Sequence, residues 1–319
     1  MIKEQLESLN SVVISMGPGG LRVMNIILAL IMFGVALSIK TDMFKNVFKQ
    51  PKAVIIGLCM QWFALPAVTF ILALGLSHWI TPMVALGMIL VASCPGGNIS
   101  NFMSSYSKGN TELSVSMTAI TTMFSSIMTP FNFFAWGSLY YWAISVSGDV
   151  PRLVIPFFPM LKEILLLLGV PIVLGMAFAH YFPKVTSKIV KPIQNVSFVL
   201  FILIVGVMIF QNWKLISGNI LFVFLIVLIH NALALSTGYI GGTLGKVSIP
   251  ERRSLTIEIG IQNTGLGLIL MMNPAIFPPE IWNGHYGAML LIASLWGIWH
   301  IISGLTISSI FRRTPLVKA

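Results

Sequence analysis

Charge is scarce in this chain, and acidic charge is the scarcest. Of the 319 residues, 9% are Asp, Glu, Lys or Arg and 56% are apolar, and only nine residues are acidic. The mean hydropathy is +0.92. Soluble globular domains carry about a quarter charged residues, so this composition excludes an ordinary soluble protein and predicts an integral membrane protein.

Cysteine is nearly absent as well. The two cysteines, Cys59 and Cys94, both lie in apolar stretches. They form no disulfide framework and lack the spacing of a zinc site, and no His/Cys cluster indicates copper or iron. The apolar stretches also carry no Ser/Lys, paired-Asp or His-rich motif of an intramembrane enzyme, so we predict that the chain is not an enzyme.

Long apolar stretches recur along the chain, each bounded by charges or by Pro and Gly clusters. Nine have the length that a helix needs to cross a bilayer. They cover residues 22–39, 52–76, 79–106, 111–142, 156–180, 191–211, 217–243, 251–273 and 283–310. The chain is therefore predicted to be an all-α polytopic membrane protein with about nine transmembrane helices and no soluble linker between them.

The positions of the basic residues predict the orientation of these spans. With the N-terminus outside, the cytoplasmic loops hold fourteen of the nineteen Lys and Arg residues, as the positive-inside rule requires. Residues 1–21 then form an extracytoplasmic segment, 22–311 a single transmembrane domain and 312–319 a cytoplasmic tail. The net charge of +10 has another interpretation, a nucleic-acid surface, but the charges are scattered singly between apolar spans.

Two spans are interrupted at their centres by polar and helix-breaking residues. The third contains CPGGNISN at 94–101, and the eighth contains EIGIQNTG at 258–265. Pro and Gly free backbone groups that must line a cavity or a protein interior. Paired breaks of this kind indicate a transporter binding site, and spans five apart enter the membrane from opposite sides, which predicts inverted repeats. A plain kink is the alternative for either break alone.

Glu258 is the one carboxylate that the apolar sequence places inside the membrane. A charge at that depth costs at least about 2.5–3.5 kcal/mol, so it needs a partner, a bound ion or a proton. Gln262 follows four residues later, Ser114 and Thr118 share one face of the fourth span, and Gln61 lies in the second. Their oxygens suit a hard cation. Each of these polar residues also has a purely structural interpretation, as a back-bond to the helix or a contact between helices.

Histidines within the spans are equally open to two interpretations. His230, followed by Asn231, lies in the seventh span and His300 in the ninth. A histidine buried in the helix bundle and a proton relay both fit this pattern. The pair His230-Asn231 stands before the second break as Gln61 stands before the first, which supports the predicted repeat.

The two broken segments, with Gly109-Asn110 and Leu113-Ser114-Val115-Ser116, resemble the bile acid:sodium symporter family over residues 22–310. The resemblance implies a panel-and-core fold in which the broken helices cross, and sodium as the coupling ion with no other cofactor. It further implies an organic anion as substrate and, from the bacterial members, the bacterial inner membrane as location.

The resemblance also implies site residues. One sodium ion would be held by Ser100, Asn101, Ser114, Thr118 and Glu258. The second would be held by Gln61, Glu258, Gln262 and the carbonyls of Ile259 and Ile261. The substrate would contact Asn98, Asn263, Thr264 and His300.

Three features depart from the bacterial pattern of this family. The chain has nine predicted spans where the bacterial members have ten, and so resembles the animal members. Ile301 stands where an Asn often follows the histidine, and Asn98 replaces a usual Thr. Both positions fall at the implied substrate pocket, so they bear on the identity of the substrate rather than on the sodium sites.

Together these features predict a sodium-coupled symporter that imports an organic anion, bile acid-like or a small carboxylate, by alternating access. The alternative is a proton-coupled or metalloid exporter on a related scaffold, with Cys94 as thiol ligand and Glu258 as proton carrier. A receptor that binds without transporting is a third possibility, which a measurement of flux would distinguish.

Overall fold

The computed structural model of the chain describes residues 6–7, 18–39, 51–146, 157–211, 213–273, 276–277 and 287–315. Within these residues the regular structure is helical, apart from one isolated β-bridge. The predicted segment 1–21 and tail 312–319 lie largely outside the described residues.

The described residues form fourteen α-helices and two π-helical segments. In chain order the α-helices are α1 (Pro18–Ala36), α2 (Pro51–Cys59), α3 (Leu65–Gly75), α4 (Pro82–Ser93), α5 (Ile99–Tyr106), α6 (Thr111–Met123), α7 (Ser125–Val146), α8 (Phe157–Ile164), α9 (Val170–Tyr181), α10 (Pro183–Gln211), α11 (Trp213–Leu244), α12 (Ile249–Gly260), α13 (Thr264–Met271) and α14 (Gly287–Arg313). The π-helical segments are Met60–Ala64, between α2 and α3, and Leu165–Gly169, between α8 and α9.

Four helical stretches are long and apolar enough to cross a membrane without interruption. They are Pro51–Gly75, Leu161–Tyr181, Ile220–Leu244 and Gly287–Arg313. Shorter apolar helices cover Asn25–Ala36 and Pro82–Ser93. The chain is therefore an all-helical integral membrane protein, as its composition predicts.

Each π-helical segment ends two residues before a proline. Pro66 is the second residue of α3 and Pro171 the second residue of α9. Proline has no N–H and its ring crowds the carbonyl four residues earlier, so a wider turn before it relieves the clash. The first of these wide turns carries Gln61, whose side chain is buried at 2% exposure.

The interruptions fall where the sequence predicts them. The third predicted span is divided into α4, which ends at Ser93, and α5, which begins at Ile99. The eighth is divided into α12, which ends at Gly260, and α13, which begins at Thr264. Each pair therefore presents two half-helices whose inner ends meet in the middle of the bundle.

The helices pack in two groups. One consists of α1 with α9 and α10. The other surrounds the half-helices: α14 packs against α4, α5, α11 and α13, and α12 packs against α5, α6 and α11. Contacts of α7 with α8 and the second π-helical segment, and of α13 with α1, join the two groups.

The contact between α11 and α12 depends on a glycine. A Cβ atom at Gly238 would lie 2.4 Å from the carbonyl oxygen of Leu255 and 2.8 Å from the Cα atom of Thr256. Both are backbone atoms, so the added carbon is accommodated only if one helix moves.

We therefore expect Gly238→Ala to lower the free energy of unfolding by about 1–3 kcal/mol, the usual cost of overpacking. The measurement is the thermal unfolding midpoint of the detergent-purified protein. Gly206→Ala is the matched control, because nothing lies within 4 Å of a Cβ atom there. It should leave the midpoint unchanged or raise it, since alanine favours helix over glycine. Equal midpoints for the two variants would contradict the close contact.

Candidate functional site

The two broken helices cross at their interruptions and bind each other through the backbone. Gly97 donates its N–H to the carbonyl of Ile261, and Asn263 donates to the carbonyl of Pro95, each at 2.8 Å. These bonds form an isolated antiparallel β-bridge. Four of the backbone groups that the breaks release from the helices are thus paired with each other within the crossing.

Side-chain caps fix where the half-helices around the crossing begin. Ser248 and Glu251 form a capping box at the start of α12. At the start of α13, the side-chain oxygen of Asn263 accepts from the N–H of Leu266 at 3.1 Å. The caps set the register of both half-helices, and therefore the direction in which Glu258 points.

Glu258 is fully buried, and three hydroxyl groups donate to its carboxylate. The Oγ atoms of Ser100 and Ser114 lie 2.5 and 2.8 Å from its Oε2 atom, and Thr118 Oγ1 lies 2.6 Å from Oε1. Ser100 belongs to α5 and the other two to α6, so the carboxylate of α12 joins three helices. All three partners are neutral; within the described part of the chain, no cationic side chain contacts these oxygens.

Asn101 adds a further oxygen to this cluster. Its Oδ1 atom lies 2.9 Å from Ser114 Oγ and 3.2 Å from Thr118 Oγ1. Each hydroxyl has a single proton to share between this amide oxygen and the carboxylate, so oxygen lone pairs outnumber the protons available to them. The cluster has an excess of acceptors, which a cation can satisfy.

A second polar cluster joins Gln61 to the two broken helices. Gln61 Nε2 donates to Gln262 Oε1 at 2.8 Å and to the carbonyl of Cys94 at 2.9 Å. Gln262 Nε2 in turn donates to the carbonyl of Ile259 at 2.7 Å. Of the second predicted ligand set, the structure links Gln61, Gln262 and the Ile259 carbonyl to one another. The Ile261 carbonyl accepts from Gly97 instead, and the described bonds of Glu258 go to the first cluster.

The chemistry of both clusters is that of a hard-cation site. The available ligands are hydroxyl, amide, carbonyl and carboxylate oxygens, which are the ligands that hard cations prefer. Unwound carbonyls and half-helix ends are also the groups with which transporters bind sodium or protons. The residues present thus fit a sodium ion.

The predicted substrate residues lie around the same crossing but differ in exposure. Asn98 directly precedes α5, makes no side-chain capping bond and is exposed, whereas Thr264 and His300 are buried. A Cβ atom at Gly297 of α14 would lie 2.8 Å from Thr264 Oγ1, so α13 begins directly against α14. His300 follows three residues later, on the same face of α14.

Arg253 has a contact pattern that the sequence does not reveal. It is buried at 3% exposure and donates to the carbonyls of Ser107 and Thr314, both at 2.9 Å. It thereby ties the start of α12 to the chain just beyond α5 and α14. The sequence shows only a charge near the end of a span; its burial depends on how three distant segments meet.

An all-helical membrane bundle with a buried carboxylate at the crossing of two broken helices belongs to the class of secondary transporters. The profile of the Sodium Bile acid symporter family matches residues 25–219 of this chain. The chain belongs to this family, whose members are sodium-dependent transporters rather than enzymes.

Individual relatives agree with this assignment. The sodium-dependent transporter YocS of Bacillus subtilis is 31% identical over 280 residues, which cover 88% of this chain and 79% of that protein. The human ileal sodium/bile acid cotransporter is 27% identical over 246 residues, which cover 76% of this chain and 67% of that protein. The probable sodium/metabolite cotransporter BASS1 of Arabidopsis thaliana is 26% identical over 294 residues, covering 90% of this chain and 66% of the relative.

The geometry around Glu258 yields a stability prediction. A Cβ atom at Gly96 would lie 2.4 Å from Glu258 Oε1, and its other close neighbours are carbon atoms of the same side chain. Gly96→Ala should therefore displace the carboxylate and lower the free energy of unfolding by about 1–3 kcal/mol, measured as a lower thermal midpoint.

A double-mutant cycle isolates that contact. In a Glu258→Ala background the obstructing side chain is gone, so Gly96→Ala should cost little. Gly75→Ala, with nothing within 4 Å of the new methyl group, is the control in both backgrounds. An equal loss from Gly96→Ala with and without Glu258 would show that the contact is not with the carboxylate.

Proposed function

We propose that this protein is a sodium-coupled symporter that imports an organic anion by alternating access. The observation that carries the proposal is the fully buried carboxylate of Glu258, whose partners are all neutral hydroxyls. Such a charge is costly inside a membrane unless a cation compensates it. Membership of a sodium-dependent transporter family supports sodium as that cation.

Two sodium ions are proposed to bind behind the crossing, and no other cofactor takes part. The first is held by Ser100, Asn101, Ser114, Thr118 and Glu258. The second is held by Gln61, Glu258, Gln262 and the carbonyls of Ile259 and Ile261. Glu258 is shared, so its single negative charge partly neutralises both ions and makes each site depend on the other.

The anion is proposed to bind where α5 and α13 begin. The first N–H groups of a helix lack intrahelical partners and carry partial positive charge, which favours an anionic group. Asn98, Asn263, Thr264 and His300 surround these ends. The names of the relatives, a bile acid cotransporter and a metabolite cotransporter, support an organic anion, either bile acid-like or a small carboxylate.

The two groups of helices support a rocking mechanism. We propose that all nine predicted spans cross the membrane as inverted repeats within one domain, 22–311, and that α1, α9 and α10 belong to the panel. The helices around the crossing would form the core, which moves against that panel to expose the site alternately to the two sides. Among the described helices α1 packs mainly against α9 and α10 and less against the half-helix α13, which supports this division.

We place the protein in a bacterial inner membrane, with the N-terminus outside and the C-terminus in the cytoplasm. The distribution of Lys and Arg and the similarity to a Bacillus transporter support this orientation and location. Two sodium ions with one monoanion carry net positive charge inward. The membrane potential then contributes about 2.3 kcal/mol per elementary charge per 100 mV to uptake.

Uptake into proteoliposomes tests the proposal. With labelled bile acids and small hydroxy acids as probes, an inward sodium gradient should drive accumulation, and an inside-negative potential should increase it. Glu258→Gln should reduce accumulation to the level of empty liposomes. Thr118→Val removes one ligand of the first site only and should raise the half-saturating sodium concentration about tenfold, the effect of one bond to a charged group.

Two controls decide between the alternatives. Thr306→Val removes an exposed hydroxyl that bonds only to its own helix, at Ile302, and should leave uptake unchanged. Cys94→Ser should also have no effect on a sodium symporter, whereas a metalloid exporter would lose function. Accumulation driven by a proton gradient alone, with no response to sodium, would overturn the proposal.

A further inference from the structure

Each broken helix receives an amide side chain from the span that precedes it. Gln61 Nε2 donates to the carbonyl of Cys94, where α4 ends, at 2.9 Å. Asn231 Nδ2 donates to the carbonyl of Gly260, the last residue of α12, at 2.8 Å. The last carbonyls of a helix have no intrahelical partner, so each amide satisfies one of them. The two side chains occupy equivalent places before the two breaks.

The two amide side chains differ in their second hydrogen bond. Gln61 bonds to Gln262 and so remains within the crossing. Asn231 instead uses its Oδ1 atom to accept from Ser303 Oγ of α14, at 2.5 Å. Asn231 is fully buried and thus bridges the end of α12 to a separate helix. Ser303 also lies 3.2 Å from the carbonyl of His300, one turn earlier on α14.

This bridge connects the two parts of the proposed site. Gly260 stands between Ile259 and Ile261, the residues whose carbonyls are assigned to the second sodium ion. Ser303 stands one turn after His300, which is assigned to the substrate.

His230, the residue before Asn231, contacts α14 at a second position. His230 Nε2 lies 2.8 Å from Thr69 Oγ1, and the His230 ring packs against Trp296 with centroids 4.4 Å apart. Consecutive residues of α11 therefore contact α14 near Trp296 and near Ser303. These two contacts lie about two helical turns apart on α14. Because the interior is closely packed, a movement of Gly260 is expected to displace α14 as well, rather than to be absorbed around Gly260.

We propose that Asn231 and Ser303 are positioning residues that transmit sodium binding at the crossing to the substrate-facing helix α14. The inference rests on the proposed function, since it uses the assigned sodium and substrate residues. When sodium draws the carbonyls of Ile259 and Ile261 together, Gly260 and the amide bonded to it move with them. Asn231 then carries this movement to Ser303 and, through it, to the turn of α14 that bears His300.

Hydrogen–deuterium exchange of the full-length purified protein tests this coupling without a substrate. Exchange is compared in sodium chloride and in potassium chloride of equal ionic strength. In the wild type, sodium should slow exchange about fivefold or more both in peptides covering 258–263 and in peptides covering 297–305, the lower end of typical coupling effects.

The variants separate transmission from sodium binding. Ser303→Ala should keep the sodium effect at 258–263, with a half-saturating sodium concentration within about threefold of wild type, and lose it at 297–305. Ser303→Thr retains the hydroxyl and should therefore retain the sodium effect at 297–305. Ser309→Ala on the same helix removes a hydroxyl that bonds to Leu305 and should behave as wild type. Asn231→Leu should also lose the sodium effect at 297–305.

The other outcomes distinguish a failure of the coupling from a failure of the proposed sodium site. If sodium slows exchange at 258–263 but not at 297–305 in the wild type, or if Ser303→Ala keeps both effects, the coupling is wrong and the symporter proposal stands. If sodium and potassium give the same exchange in both segments of the wild type, the sodium site itself is wrong, and the coupling falls with it.

Discussion

The burial of one negative charge is the constraint on which the rest of this structure depends. Glu258 lies inside a membrane protein with hydroxyl groups at both carboxylate oxygens and no cationic side chain among its described partners. Hydroxyls reduce the cost of burying a carboxylate but do not neutralise it. The broken helices, the glycine at 96 and the short-chain polar residues of α5 and α6 all serve to surround this group with oxygen.

The crossing of the half-helices provides that environment without exposing backbone to lipid. Uninterrupted helices would have no free carbonyls, and separate breaks would leave theirs unsatisfied. By pairing Gly97 with Ile261 and Pro95 with Asn263, the chain satisfies some groups and keeps others available to a ligand. Because its ligands come from several helices that are held by few bonds, the site is sensitive to small movements of those helices.

Sequence alone predicts this centre well and its surroundings poorly. Pro95 with its following glycines marks the first break, and Glu258 stands out because residues 254–273 contain no other charge. Both signals can be read from residues that are adjacent in the sequence. The burial of Arg253 and the bond between Asn231 and Ser303 depend on segments 61 and 72 residues apart, whose meeting no periodicity records. Gln61 is only partly predictable. The sequence shows that it lies in a span, but the inward direction of its side chain follows from the wide turn before Pro66.

The most direct test of the shared carboxylate is equilibrium binding of radioactive sodium to the purified protein. At saturating sodium the proposed arrangement predicts two ions per wild-type chain, two ions with one of them bound about tenfold more weakly when Thr118→Val removes a ligand of the first site, and none when Glu258→Gln removes the charge common to both. Retention of both ions by Glu258→Gln would contradict the account, because the sites would then lie elsewhere.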